Sequence, residues 1–169
     1  GRGEKIIILR LISWSAQHDI GLKGLNVNKE EFVRRLEDYG RVFITSEVPV
    51  NGKLANYTVK IPVHKMHSLM YYSDMYIGEG GTMAAEAAVL GTPAVHIESV
   101  NGMATGDTSG NFRELRDKYG LLFYYADQNS AFEKSLEVLE NHSREEWRRR
   151  RNKLLKDKID VTSWMVNFV

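Results

Sequence analysis

The sequence predicts an α/β fold, a three-layer α/β/α arrangement around a mainly parallel sheet. Three observations point there. Short apolar runs of strand character alternate along the chain with segments of helical periodicity, and that alternation places helices on both faces of a parallel sheet. The first run, Ile6-Ile7-Ile8-Leu9, is four branched aliphatics in succession, the pattern of a strand buried on both faces. The length of 169 residues, 43% hydrophobic and 27% charged, is that of one domain burying about two thirds of its unfolded surface.

The elements follow in order. After the strand at 6–9 comes a polar, glycine-containing segment over 13–28. Residues 29–38 place Phe32, Val33 and Leu36 at helical spacing, with Asn28 positioned as N-cap and Gly40 just past the end. Residues 41–45 read as a second strand, 49–56 as a loop around Asn51-Gly52, and 57–60 as a short strand ending before Pro62. A helix over 64–73 aligns Met66, Leu69, Met70 and Tyr72 on one face, and 74–77 is again a strand. The tight turn Gly78-Glu79-Gly80-Gly81 leads into an alanine-rich helix over 82–90, closed by Gly91 and Pro93. A strand over 94–97 precedes 101–110, which carries three glycines and reads as a mobile loop. Beyond it lie a helix over 111–118, a strand over 121–124, helices over 130–141 and 143–158, and an amphipathic segment over 161–169. The last two form a C-terminal helical extension of a single domain spanning 1–169.

Composition excludes several classes of function. The absence of cysteine removes disulfide scaffolds, Cys-ligated zinc, iron–sulfur clusters and thiol nucleophiles. With 23 Lys+Arg against 22 Asp+Glu, a net charge of +1 gives no footprint for nucleic acid. No apolar run approaches the ~20 residues that span a bilayer, and residues 1–10 lack a signal-peptide pattern, so a cytoplasmic location is expected. The chain starts at Gly1 rather than Met and stops within the apolar stripe Trp164-Met165-Val166-Asn167-Phe168-Val169. The expectation is a piece of a longer protein.

Chemistry concentrates between Tyr76 and Ile97. A strand ends, glycines permit a sharp turn and close ligand approach, and a helix starts at once. The N–H groups near Gly81, Thr82 and Met83 then face the space above the sheet with the positive end of the helix dipole behind them, an arrangement suited to a diphosphate. Glu86, one turn on, is placed to accept hydrogen bonds from ribose or sugar hydroxyls. The turn by itself is equally well a structural strand–helix connection. It matches neither the Gly-x-Gly-x-x-Gly dinucleotide fingerprint nor the P-loop.

The run Gly-Gly-Thr-Met-Ala-Ala-Glu-Ala-Ala-Val-Leu-Gly-Thr-Pro, from Gly80 to Pro93, resembles the nucleotide-sugar half of glycosyltransferases built from two Rossmann-like domains, the GT-B architecture. The same order of Gly-Gly, Glu and Leu-Gly-Thr-Pro occurs in UDP-N-acetylglucosamine 2-epimerases. The nearest resemblance is to the prokaryotic domain-of-unknown-function family 354, whose second domain also opens like Leu9-Arg10-Leu-Ile-Ser-Trp-Ser-Ala-Gln-His-Asp-Ile-Gly21. The resemblance implies a Rossmann-like domain that holds a nucleotide-sugar, UDP-linked, with a preceding Rossmann-like domain of the same protein as its partner. It implies a diphosphate held by Arg10, Ser13, Gly80, Gly81, Thr82 and Met83, a ribose on Glu86, and a base against Ile61, Pro62 and His64. No metal and no cofactor is expected, the UDP-sugar being substrate. Transfer of a glycosyl group in glycan or glycolipid synthesis is the leading activity, with the catalytic base on the partner domain and this part inactive alone. An epimerase-like enzyme is the alternative. Glu79, where the epimerases carry Ser, puts an acid beside the phosphates unless its side chain points away, and this favours a third reading, a non-catalytic binding or scaffold domain.

Other candidates are weaker. His18 and Asp19 form a possible acid–base pair in a loop that follows a strand, although chain neighbours seldom face each other and a surface histidine is the plainer reading. His64 and His67 have metal-compatible spacing but no third ligand nearby. The 101–110 loop is placed to cover a donor sugar, or is simply a connection. The basic run Arg148–Arg151 with Lys153, Lys156 and Lys158 is interrupted by acids and by Trp147, Leu154 and Leu155. A solvated, docked helix is preferred there over a membrane surface or nucleic acid.

Overall fold

In the computed structural model, which describes residues 4–14, 21–25, 28–141 and 143–168, eight strands form two sheets. The strands are β1 (Ile6–Leu11), β2 (Leu22–Lys23), β3 (Arg41–Ser46), β4 (Met75–Gly78), β5 (Ala94–Ile97), β6 (Ser99–Val100), β7 (Met103–Ala104) and β8 (Leu122–Tyr125). The central sheet runs β3-β1-β4-β5-β8, every pair parallel. A single parallel bridge between Ile44 and Thr58 adds to its outer edge, with Val59 N–H donating to the Ile44 carbonyl at 3.0 Å. The expected strand at 57–60 is thus one bridge long. Counting that bridge as the third strand, the order is 3-2-1-4-5-6, the doubly wound arrangement. Its reversal lies between β1 and β4, where Arg10 is in register with Gly78.

Helices α1 (Lys29–Glu37), α2 (Met66–Tyr72), α3 (Gly81–Leu90), α4 (Gly110–Asp117), α5 (Gln128–Asn141), α6 (Arg144–Asp157) and α7 (Val161–Phe168) complete the fold. The Asn28 side chain starts α1 by accepting from the N–H groups of Glu30 and Glu31 at 3.1 and 3.4 Å, which supplies partners for two otherwise orphaned donors. Phe32, Val33 and Leu36 bury its inner face, and Phe32 meets Phe132 of α5 edge-on at 5.3 Å. These two helices share one face of the sheet; α2, α3 and α4 pack in succession on the other. In α3 the inward residues are Ala84, Ala87 and Ala88, all fully buried. Their small side chains let the helix lie close to β4 and β5. The core between the layers holds Ile7, Ile8, Leu9, Met75, Tyr76, Ile77, Val95 and Ile97 with no exposed surface.

The basic helix α6 is docked, as its apolar residues imply. Trp147 and Leu154 are buried, while Arg151 Nε donates to the Val89 carbonyl at 3.0 Å and Arg150 to the Gly120 carbonyl at 2.6 Å. Val89 lies in the last turn of α3, where a cation complements unpaired carbonyls. Part of the arginine run therefore fastens the helix to the body. By contrast, α7 leaves Val161, Trp164, Met165, Val166 and Phe168 exposed, with Trp164 and Phe168 stacked on each other at 5.2 Å.

Two expected loops carry structure. Residues 49–56 contain most of a 3-10 helix, Gly52–Tyr57. Within 101–110, β7 folds back on β6, which immediately precedes the segment, as an antiparallel hairpin, followed by a 3-10 turn at Thr105–Thr108. The hairpin turns on Asn101-Gly102, both at positive φ (49° and 78°), as a two-residue primed turn requires. β2 pairs with β6 on its other side, so the segment supplies the turn and an edge strand of a three-stranded sheet rather than a plain connection.

Candidate functional site

The parallel strands direct their carboxyl ends to one rim, and the reversal in strand order opens that rim between β1 and β4. Gly80, at φ +83°, is the N-cap of α3 and brings no side chain to it. The amide groups of Gly81, Thr82 and Met83 in the first turn therefore have no capping side chain. That is the arrangement the glycine run predicts.

Glu79 behaves differently from the expectation that it sits beside the phosphates. It is 1% exposed, and its two carboxyl oxygens accept from backbone: Oε2 from Ile12 N–H at 2.9 Å, Oε1 from Leu25 N–H at 2.7 Å. The acid is turned toward the segment that follows β1 and is occupied there. Gly24 lets that segment come so close that a Cβ at this position would collide with Trp14 and Glu79. Beneath the turn, the buried Tyr76 hydroxyl donates to the carbonyl of Glu79 at 2.8 Å and lies 3.4 Å from that of Gly80. Burial pushes the Tyr76 phenol well above its ordinary range.

Arg10 and Ser13 come together, on a residue that sequence reasoning passed over. Arg10 Nη2 lies 2.7 Å from Glu47 Oε1, and the Ser13 N–H and hydroxyl donate to Glu47 Oε2 at 3.2 and 3.3 Å. Glu47 follows β3 directly, so the guanidinium is held at the mouth of the β1–β4 opening with a carboxylate already on it. Glu86 faces α2, its Oε2 3.3 Å from His67 Nε2. Ile61, Pro62 and His64 lie on the half-exposed to exposed stretch between the Thr58 bridge and α2, where Pro62 precedes the 3-10 turn Val63–Lys65. His18 and Asp19 lie outside the described residues.

On the other flank of the α3 N-terminus is a cleft of about 290 Å³ lined by Gly81, Thr82, His96, Glu98, Thr105 and Phe112, among others. Its wall is built on β5. His96 stands in the sheet between Gly78 and Tyr124, is 1% exposed, and meets Phe112 edge-on at 5.2 Å. Glu98 Oε1 lies 3.9 Å from His96 Nε2 and accepts from Thr105 Oγ1 at 2.6 Å. The far rim is pinned to the body: Gly106 rests so close to the Tyr124 ring that a Cβ would overlap it. Arg116 covers the same ring at 4.3 Å and reaches Asp107 at 3.5 Å. A larger hollow of about 510 Å³ lies at the opposite end of the sheet, between Tyr71, Tyr72, Asp74 and α6, away from the strand ends where such folds bind ligands.

His96, Glu98 and Glu47 were not singled out by the sequence reading. A signal existed for the first, since a lone polar residue inside the four-residue strand Ala94-Val95-His96-Ile97 is unusual where every position is buried. Asn101-Gly102 likewise announces its hairpin.

Comparison with known proteins agrees with this architecture. Residues 44–108 match the model of the family described as "Protein of unknown function (DUF354)". The match contains the Gly80–Pro93 run and stops short of the other resemblance, at residues 9–21. A crystal structure of a Listeria monocytogenes protein assigned as a UDP-N-acetylglucosamine 2-epimerase superposes with a TM-score of 0.55 at 13% identity, over 86% of this chain and 39% of that one. The glycotransferase of kitacinnamycin superposes at 0.51 with 14% identity, over 89% of this chain and 39% of its own. The fold is a Rossmann-like α/β/α domain of the kind GT-B proteins contain. The chain spans 39% of the length of each of these structures. No curated protein sequence matches it.

Proposed function

We propose that this chain is the nucleotide-sugar-binding half of a GT-B-type glycosyltransferase and takes a UDP-sugar. The observation that carries the reading is the uncapped N-terminus of α3, opening at the reversal of strand order with Glu86 one turn along the same helix. Three amides and the helix dipole would hold the diphosphate there, and Glu86 would accept from the ribose hydroxyls. The β5 cleft on the far flank then takes the sugar. As the glycosidic bond breaks, negative charge grows on the leaving diphosphate, and donors already aimed at it lower the barrier without reorganising. The base and the acceptor site belong, in this reading, to the partner Rossmann-like domain. The reading as a non-catalytic domain drew its support from an acid beside the phosphates, and the Glu79 carboxyl faces elsewhere.

Calorimetric titration with UDP, ADP, GDP and dTDP, with and without magnesium, tests the proposal. UDP is expected to bind without magnesium. Glu86→Ala, at a half-exposed side chain, should weaken that binding about tenfold, the value of one hydrogen-bonded charge, and leave the melting temperature unchanged. Absence of binding by all four diphosphates overturns the reading.

A further inference from the structure

We infer that His96 Nε2 is a hydrogen-bond donor to a diphosphate bound at the N-terminus of α3. The inference rests on the nucleotide-sugar reading only for the name of the ligand; its own evidence is a buried imidazole whose Nδ1 has no hydrogen-bond partner among the described residues and whose Nε2 faces the start of α3. His96 is 1% exposed, and its Nδ1 has no hydrogen-bond partner among the described residues. On the other nitrogen, Nε2 lies 3.9 Å from Glu98 Oε1, beyond hydrogen-bonding reach. A buried imidazole left this way costs free energy that a phenylalanine of the same outline would not.

The ring is aimed at the helix start. Nε2 lies 3.9 Å from where a Cβ on Gly81 would stand, and His96 and Gly81 line the same cleft. Gly78, its register partner in β4, has no side chain to interpose. An oxygen accepting from the Gly81 and Thr82 amides would then sit beside Nε2. The tautomer follows from the surroundings. Either tautomer leaves Nδ1 unpaired, but an orphaned N–H is rarer in a protein interior than an orphaned acceptor, and on Nε2 the proton faces the cleft, on the side of the Glu98 carboxylate. The ring is therefore set to donate before any ligand arrives. Packing against Phe112 accounts for the aromatic shape of the residue and not for its nitrogens.

The test uses inorganic pyrophosphate and UDP as probes. In the wild-type chain, long-range 1H–15N spectra should show His96 protonated at Nε2, and pyrophosphate should shift that nitrogen. His96→Phe keeps the ring and removes the donor, and should weaken pyrophosphate and UDP alike by about tenfold. His96→Gln restores an N–H near the Nε2 position and should bring both back to within about threefold of wild type. Wild-type affinity in His96→Phe, or an Nε2 signal indifferent to pyrophosphate, overturns the inference while leaving the nucleotide reading standing. Pyrophosphate binding that depends on His96 in a chain that ignores UDP supports the inference and removes the nucleotide. A chain that binds neither probe overturns both. Should His96→Phe fail to fold, the wild-type spectra and His96→Gln decide the matter.

Discussion

Glu79 shows how much depends on the direction of one side chain. Read along the chain it is an acid in a phosphate-binding turn, and replacing it with serine should tighten phosphate binding. Folded, it is the acceptor for two backbone amides, Ile12 and Leu25, in a place where water does not reach. Glu79→Ser leaves both donors unpaired, so the expected result is a loss of about 2 kcal/mol or more in stability, measured as a lowered urea midpoint, with no gain in UDP affinity. An unchanged midpoint together with tighter UDP binding would put the carboxylate back beside the ligand. Glu47 is the converse case. Nothing in its neighbours Ser46 and Val48 hints at a role, yet it gathers Arg10 and Ser13, two residues that the family resemblance singled out. That meeting joins the ends of two strands separated by a helix, and no local pattern in the chain encodes it.

Elements were legible wherever one periodicity ruled them. The strands buried on both faces, β1, β4 and β5, and the capped helix α1 lie where the apolar runs and Asn28 put them, within a residue or two. The 101–110 segment was not legible, because its polar and glycine residues report only that it is neither a buried strand nor a helix. Its hairpin depends on pairing with β2 and on Gly106 meeting Tyr124, contacts made across the fold. Gly106→Ala tests that construction. The added methyl has no space beside the Tyr124 ring, and overpacking of this sort costs about 1–3 kcal/mol. Hydrogen exchange should show protection lost at Met103 and at Thr105, whose N–H donates to the Glu98 carbonyl, with the central strands unaffected. Uniform protection as in wild type would mean that the rim does not lean on β8.

Over the whole molecule, the layers meet beneath the site, and Tyr76 stands at that junction. Its phenol is buried, pushed above its usual range by loss of solvent, and donates to the turn that starts α3. A raised folded-state value for an acid means that the neutral form is the one the fold retains. The stabilisation is complete below the unfolded value of about 10 and is lost as pH rises beyond it. Wild type should therefore exceed Tyr76→Phe in stability by about 1 kcal/mol at pH 8, and that margin should shrink by pH 11. Urea unfolding at both values measures it, and a margin independent of pH would mean that the phenol is not sequestered. The same burial explains why the turn and the sheet are expected to unfold together.

The alternation of strand and helix, the parallel sheet and the uncapped glycine start of α3 could all be read from the chain, since each follows from local spacing: which residues recur every second or every third to fourth position, and where glycine removes a side chain. The resemblance to GT-B domains rested on one such local run. Folding alone decided where Glu79 points, what holds Arg10, and that His96, a lone polar residue in its strand, faces the start of α3 with its Nδ1 unpartnered among the described residues. Those outcomes depend on contacts between residues tens of positions apart, formed only when the strands are ordered in space, and no periodicity along the chain carries that information.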